Sequence, residues 1–305
     1  MTSRIEYNNP NPEGGLGLSY HYEILSDRDR VAPLRRAIEL VAEGRRVLES
    51  GAGSGVLSIL AARAGARQVY AVEKDPAIAC WVRKNVQRSG CGEIVRVIEK
   101  DARSLTLDDI DGQEVDLIIA EHLSTWQVME PQVSVMNHLN RHLAGNAALR
   151  IPERAFNCVE LAHSQFRFED VVDLRTYYFL FTGIRRPAIL SAPALFKEVD
   201  FRELNETSID RSIEVVATAA GVVNSLQLTS PLRVLEGISF QSSDSLMPPV
   251  VVPLLEDLEV SAGDLVTVRC RYSCETNWTR MHCEATAAAL EAAIQGSEGV
   301  GTRLP

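Results

Sequence analysis

Two glutamates, Glu121 and Glu130, stand nine residues apart in "AEHLSTWQVME", directly after the apolar run "VDLIIA". Such a run reads as a buried strand, and the carboxyl ends of strands are where an open α/β sheet presents its ligand-binding residues. Two carboxylates separated by mostly uncharged residues, Trp126 among them, call for a cation. Without one they repel each other and one is driven to take up a proton. A second constellation lies upstream in "VLESGAGSGVLSILAARAG". A strand ends at Glu49, Gly51 and Gly53 let a ligand approach the backbone closely, and Gly55 allows the following helix to pack tightly on the strand. Turns of this kind serve a dinucleotide or another nucleoside cofactor. The next strand ends "VYAVEK", which puts Glu73 about twenty residues beyond the glycine turn, placed to accept hydrogen bonds from ribose hydroxyls. The third strand ends at Asp101, where adenine is met in sheets of this type.

The elements that must position these residues can be read from periodicity. "RDRVAPLRRAIELVAEG" has helical spacing and stops at Gly44, "RRVLES" is a short strand, and "GVLSILAARAG" is a helix ending at Gly65. "RQVYAVEK" is a strand, "DPAIACWVRKNVQRSG" a helix from Asp75 to Gly90, and "IVRVIEKD" and "EVDLIIAE" are further strands. Strands alternating with helices imply a parallel sheet covered on both faces. After "LRIPERA" the pattern changes to strand-like runs such as "SIEVVATAAG", "VVVPLL" and "LVTVRCRYSC", which suit a β-sandwich or barrel. The expected division is residues 1–150 for the cofactor domain and 151–295 for the β domain, with a flexible tail over 296–305. The aromatic stretch "FRFEDVVDLRTYYFLFTGIRRPAIL" reads as a helical excursion from the second domain, and "ATAAALEAAIQ" as a late helix.

The 305 residues suffice for one large or two ordinary domains, and the balance of 46% hydrophobic to 24% charged residues is that of a soluble globular protein. No apolar run reaches the ~20 residues of a membrane span, and the polar N-terminus lacks the apolar stretch of a signal peptide, so a cytoplasmic location is expected. The net charge of -10 argues against binding a nucleic-acid backbone and suits a cationic substrate. The six cysteines form no CxxC pair, and the spacing of Cys270, Cys274, His282 and Cys283 matches none of the usual zinc patterns, so no metal is expected.

"VLESGAGSGVLSILAARAGARQVYAVEKD" resembles the first two motifs of S-adenosylmethionine-dependent methyltransferases of the seven-strand, Rossmann-like type, and more sharply those of the protein arginine methyltransferases. The resemblance extends over most of the chain. In "YHYEILSDRDRVAPLRRAI", His21, Asp27 and Arg30 fall on the family's histidine, aspartate and arginine in the helices that cap the cofactor. Glu121 and Glu130 match both acids of its double-glutamate loop, with the same separation. "LTSPLRV" and "LEVSAGDLVTV" resemble segments of its C-terminal barrel, and residues 165–195 take the place of its dimerisation arm. The resemblance implies S-adenosylmethionine as cofactor, met by His21, Arg30, Glu49, Gly51, Gly53, Glu73, Asp101 and Ala102, and a homodimer formed through the arm. It also implies that Glu121 and Glu130 grip a guanidinium, whose fork of N–H donors suits charge-assisted bidentate hydrogen bonds.

Departures fall on the acceptor side. Leu246, Met247 and Pro248 stand where the family carries a Thr-His-Trp loop, His122 replaces a usual tryptophan, and Ser124 a usual glycine. Trp278, in "TNWTR", reads first as a core or strand residue, with a place in the acceptor wall as the alternative. A trimmed site suits free arginine or a small guanidine derivative, and a peptide or protein acceptor is the alternative. Other readings are a methyltransferase for a different nitrogen or oxygen, and a non-catalytic relative that binds cofactor or partner as a scaffold.

Overall fold

The computed structural model describes residues 18–287. The expected tail lies outside them. Of the expected late helix, the described residues Ala285–Ala287 belong to a strand and the rest lies outside. The described residues open with helices α1 (Leu18–Ser26) and α2 (Arg28–Val41), joined at Asp27, whose side chain accepts from Arg30 N as an N-cap. Then follow β1 (Arg46–Ser50), α3 (Val56–Arg63), β2 (Gln68–Glu73), α4 (Pro76–Arg88), β3 (Val95–Glu99), β4 (Val115–Ala120), α5 (Gln132–His142) and β5 (Ala144–Ile151). Asp75 caps α4, accepting from Ala77 N and Ile78 N, with Pro76 at the first helical position. All five residues of β1 and five of six in β4 are buried, as a sheet covered on both faces requires.

The sheet is parallel with order β3-β2-β1-β4-β5. The chain runs outward from β1 through β2 to β3, then crosses back so that β4 lies against β1 with Ser50 beside Ala120. The carboxyl ends of β1 and β4 therefore border the switch point, where such sheets leave a crevice. This sheet has five strands where the seven-strand type was expected. Helical periodicity ends with α5, and the alternating sequence that follows has no helix to cover another parallel strand.

The rest is antiparallel: β6 (Arg154–His163), β7 (Arg167–Phe168), β8 (Val172–Asp173), β9 (Tyr178–Phe179), β10 (Ala188–Ile189), β11 (Ala194–Asp200), β12 (Ser208–Val216), β13 (Gly221–Thr229), β14 (Leu232–Leu235), β15 (Ile238–Phe240), β16 (Val250–Val260), β17 (Leu265–Ser273) and β18 (His282–Ala287). An eight-stranded sheet is ordered β15-β14-β6-β13-β16-β9, with β10 and β11 also on β6, and β12-β17-β18 form a second sheet. The excursion at 165–195 is not helical, contrary to expectation. Its density of β-branched and aromatic residues favours extended backbone. Glu169 and Asp170 turn the β7–β8 hairpin at φ 48° and 54°, and β9 pairs with β16. Phe166, Phe179 and Leu180 are buried in their own subunit, while Phe168, Val171, Val172 and Leu174 at the hairpin stay exposed.

Two buried groups tie the crevice to this framework. Trp126 is fully buried and stacks on Phe196 at 4.6 Å between ring centroids. Its indole N–H is within reach of Cys158 O (3.2 Å) and Thr229 O (3.1 Å). Replacing it with alanine is expected to cost about 3–5 kcal/mol in denaturant unfolding, as for other buried tryptophans. A loss below about 1 kcal/mol would mean that the loop is not anchored there.

Glu49 is the second. Its carboxylate accepts from Ser58 N at 2.7 Å and from the Ser58 hydroxyl, securing the start of α3. Burial pushes its pKa up to about 8, with the Glu73 charge adding to the rise and the Ser58 bonds opposing it. The folded protein thus keeps a proton that the unfolded chain gives up in the ordinary carboxylate range. The stability this contributes is full below that range and is lost as pH rises through about 8. Glu49→Gln should therefore be more stable than the parent at pH ~8.5 relative to pH ~5.5 in thermal melts. An unchanged pH dependence would show Glu49 ionised throughout.

Candidate functional site

A cavity of about 660 Å³ opens at the carboxyl ends of β1, β2 and β4, roofed by α1 and α2. That lies in the range of pockets for cofactors and drug-sized ligands, ~300–1,000 Å³. All ten residues singled out from the sequence line it: His21, Arg30, Glu49, Gly51, Gly53, Glu73, Asp101, Ala102, Glu121 and Glu130.

The glycine turn is built for close approach. Gly51 and Gly53 have φ of 69° and 54°, a region side chains rarely adopt. A Cβ on Gly51 would fall 2.2 Å from His122 Cε1, and one on Gly53 would fall 2.8 Å from His21 Cε1. Gly53 N donates to Glu73 Oε2 at 3.0 Å, and Asp75 N donates to Oε1 at 2.9 Å, so Glu73 is fixed at the rim of β2. Asp101 caps a short 3-10 turn, Ala102–Ser104, and accepts from Arg103 N (2.8 Å), Nε (3.1 Å) and Nη2 (2.7 Å). The Arg103 hydrogen bonds hold the Asp101 carboxyl at about 2. Arg103 engages the carboxylate that the sequence suggested would face adenine.

Arg30 and Glu121 meet directly. The buried Arg30 guanidinium donates to Glu121 Oε2, and the two side chains are only 7% and 13% exposed. Glu130 is partly buried, and burial raises its carboxyl while the Lys74 and Arg30 charges oppose the rise. The loop between the glutamates is held from several sides. Ser124 Oγ accepts from Met129 N (3.0 Å) and Glu130 N (3.1 Å). Gln132 takes the His122 N–H at 2.9 Å and donates to Ala120 O at 2.9 Å. Thr125 Oγ1 donates to Pro248 O at 2.7 Å, and Trp126 N to Ser230 Oγ at 2.8 Å. His122 bonds Ser50 Oγ through Nε2 at 2.8 Å, and burial foremost lowers its pKa to about 4, so it is neutral at physiological pH.

On the acceptor side, Leu246 and Met247 are buried and Ser245 donates to Asp27 Oδ2 at 2.6 Å, pinning the segment to the N-terminal helices. Trp278 lies in a short 3-10 turn between β17 and β18, buried but lining the cavity, so both readings of it hold in part. Tyr177, Thr276, Asn277 and Lys74 also line the cavity and had not been singled out for it. Lys74 follows Glu73 directly and could have been read from the strand end, whereas no local pattern marks the others. Among the described residues no cluster of three or more His, Cys, Asp or Glu is placed to hold a metal, and no helix is long and apolar enough to cross a membrane.

The chain is similar to known methyltransferases in sequence and in fold. The model of the TRM5/TYW2 methyltransferase domain matches residues 21–138. The arginine N(omega)-methyltransferase of Streptomyces achromogenes subsp. streptozoticus is 26% identical over 83% of this chain and 76% of its own length. Protein arginine N-methyltransferase 7 of Drosophila melanogaster is 32% identical over 50% of this chain, a match that spans 24% of that protein. The structure of the Trypanosoma brucei PRMT1 enzyme-prozyme heterotetrameric complex with AdoHcy shares the fold, with a TM-score of 0.71 at 21% identity, covering 82% of this chain and 86% of that one. With its glycine turn, its doubly wound sheet and its barrel-like second part, the chain has the fold of solved arginine methyltransferase structures and is similar in sequence to arginine methyltransferases.

Proposed function

We propose that this protein methylates the guanidine group of arginine, free or in a small derivative, with S-adenosylmethionine as donor. The observation that carries this is the convergence of Glu121 and Glu130 with Arg30, Glu73 and the glycine turn on one cavity. The lining fits the donor: a glycine cradle too tight for any Cβ, a cation for a carboxylate, an acid for ribose hydroxyls, and a buried His21 Nδ1 with no hydrogen-bond partner among the described residues. Residues 1–150 then make up the donor-binding unit and 151–295 the β unit.

S-adenosylmethionine supplies an electrophilic methyl group on a sulfonium. In this chain Arg30 receives the donor carboxylate, His21 covers the methionyl part, Gly51 and Gly53 admit it closely, and Glu73 holds the ribose. Glu49 supports the turn from behind, and Asp101 and Ala102 flank the adenine. Glu121 and Glu130 hold the guanidinium by charge-assisted hydrogen bonds and draw its positive charge away from the reacting nitrogen, which makes that nitrogen more nucleophilic. The preference for a small acceptor is supported by the closed, buried segment at Leu246–Pro248 and by the Streptomyces relative, named an arginine N(omega)-methyltransferase. Comparing kcat/KM for free L-arginine, its carboxyl amide and an arginine-rich protein tests it. Equal values for the first two with a higher one for the protein would make the acceptor a polypeptide.

Glu121→Gln and Glu130→Gln should each lower kcat/KM about a hundredfold or more, because a desolvated cation loses a charged partner. Glu130→Gln should still bind S-adenosylhomocysteine within a few-fold by calorimetry, and Glu121→Gln, which releases Arg30 from its ion pair, should bind it no more weakly than the parent. Near-normal turnover in either would remove that residue from the site. Because the Glu130 carboxyl is raised and must be ionised to hold a cation, kcat/KM should climb with pH through a limb above the usual carboxylate range. That limb should vanish in Glu130→Gln.

A homodimer through the β7–β8 hairpin belongs to the same proposal, motivated by exposed Phe168, Val171, Val172 and Leu174. Light scattering should give a dimer that Val171→Lys with Leu174→Lys converts to monomer. A monomeric parent protein would reject it.

A further inference from the structure

Among the described residues, Arg30, Lys74, Lys100 and Arg103 bring lysine or arginine charge to the cavity. Three of them are engaged. Arg30 is paired with Glu121, Lys100 Nζ lies 2.8 Å from Asp109, and Arg103 is shared between Asp101 at 2.7 Å and Glu275 at 3.2 Å. Lys74 is exposed, and its side chain has no ion pair or hydrogen bond among the described residues, so its ammonium is within a ligand's reach. Its backbone is set between two fixed points: the carboxylate of Glu73, just before it, accepts from Gly53 N at 3.0 Å and from Asp75 N, just after it, at 2.9 Å. After burial, the Lys74 charge is the first to act on the Glu130 carboxyl, ahead of that of Arg30, and the first to act on His122. The influence of a charge falls with distance, so the ammonium stands near the double-glutamate loop.

An unpaired ammonium in a cavity that takes cationic ligands calls for an anion. On the guanidine reading above, on which this inference rests, the donor offers it none: its carboxylate is met by Arg30, its adenine and ribose are neutral, and its sulfonium is a cation. The guanidinium is a second cation, held by Glu121 and Glu130. The remaining anion is at the far end of a small acceptor, the α-carboxylate of free arginine. A lysine suits that task, since its compact charge carries three donors on a flexible stem. We propose that Lys74 is a specificity residue of the acceptor site, whose ammonium pairs with the α-carboxylate of arginine. The pairing favours the free amino acid over derivatives in which that carboxylate is neutralised or absent, and over arginine within a polypeptide.

The test is Lys74→Gln, which removes the charge and keeps a polar side chain, with Lys74→Glu as the charge reversal. KM and kcat are measured with L-arginine, L-arginine amide and agmatine, the last two having the guanidine but no carboxylate. Calorimetry of each acceptor onto the S-adenosylhomocysteine complex provides a readout independent of turnover. The parent should favour L-arginine. Loss of a charge-assisted hydrogen bond in Lys74→Gln should raise KM and Kd for L-arginine about tenfold, with kcat, and the KM of the amide and of agmatine, within about twofold. Lys74→Glu should turn the preference round in favour of agmatine. S-adenosylhomocysteine should bind Lys74→Gln within about twofold, and binding about tenfold weaker would assign Lys74 to the donor and overturn the proposal. An equal change for all three acceptors would mean that Lys74 acts through Glu130, and no change for any would put it outside the site; either overturns the proposal. A parent that prefers the amide to the free acid overturns it too, while leaving the guanidine reading intact. Failure of the parent to act on any guanidine overturns that reading and this one with it, and is seen before any variant is made.

Discussion

The burial of Trp126 is the constraint on which the site depends. Its backbone, and that of Gln127, lies in the left-handed region at φ 56° and 55°. A bulky residue adopts that conformation only when its surroundings over-determine it. Here the indole is stacked on Phe196 and bonded to carbonyls of the β sheet, so the second half of the chain holds the turn that brings Glu130 back toward the end of β4. Ser124 closes the same loop by accepting both Met129 N and Glu130 N. The acid at one end of the loop belongs to the parallel sheet, and the acid at the other is aimed by the barrel. Neither half builds the pair alone.

What was legible in the sequence was local. The glycine turn, the caps at Asp27 and Asp75 and the acids that close β1, β2 and β4 are each specified within a few residues, by φ requirements, capping geometry or strand ends. The glycines and the acids line the cavity, while the two caps stand behind it at the starts of α2 and α4. Glu121 and Glu130 could be read as a pair because the loop between them is one segment, and both line the cavity. Two readings failed where local signals compete. The aromatic stretch "FRFEDVVDLRTYYFLFTGIRRPAIL" suggested a helical excursion, but it is extended where β9 pairs with β16. Five strands replaced seven because the chain leaves the parallel sheet once its helices run out.

Tyr177, Thr276, Asn277 and Trp278 were harder to see for a different reason. They come from an excursion and a hairpin turn about a hundred residues apart. Thr276 bonded to Val128 and Glu275 to Arg103 hold the hairpin turn at the cavity, and β9 paired with β16 brings Tyr177 there. Contacts of that kind leave no period or spacing in the sequence. Asp101 is a related case: its position at the end of β3 was readable, but its engagement by Arg103 was not.

The ion pair between Arg30 and Glu121 has a thermodynamic consequence. On the function proposed above, a donor carboxylate arriving at Arg30 would meet a guanidinium already engaged by Glu121, and the two acids would share its five N–H donors. Any weakening of the pair would leave Glu121 short of a cation in a poorly solvated place and would raise its affinity for another. Two ligands that share one ion pair in this way are energetically linked, and the linkage is reciprocal: whatever the first does for the second, the second does for the first. On that reading a cavity holding both ligands would be favoured over one holding either alone, through a single salt bridge.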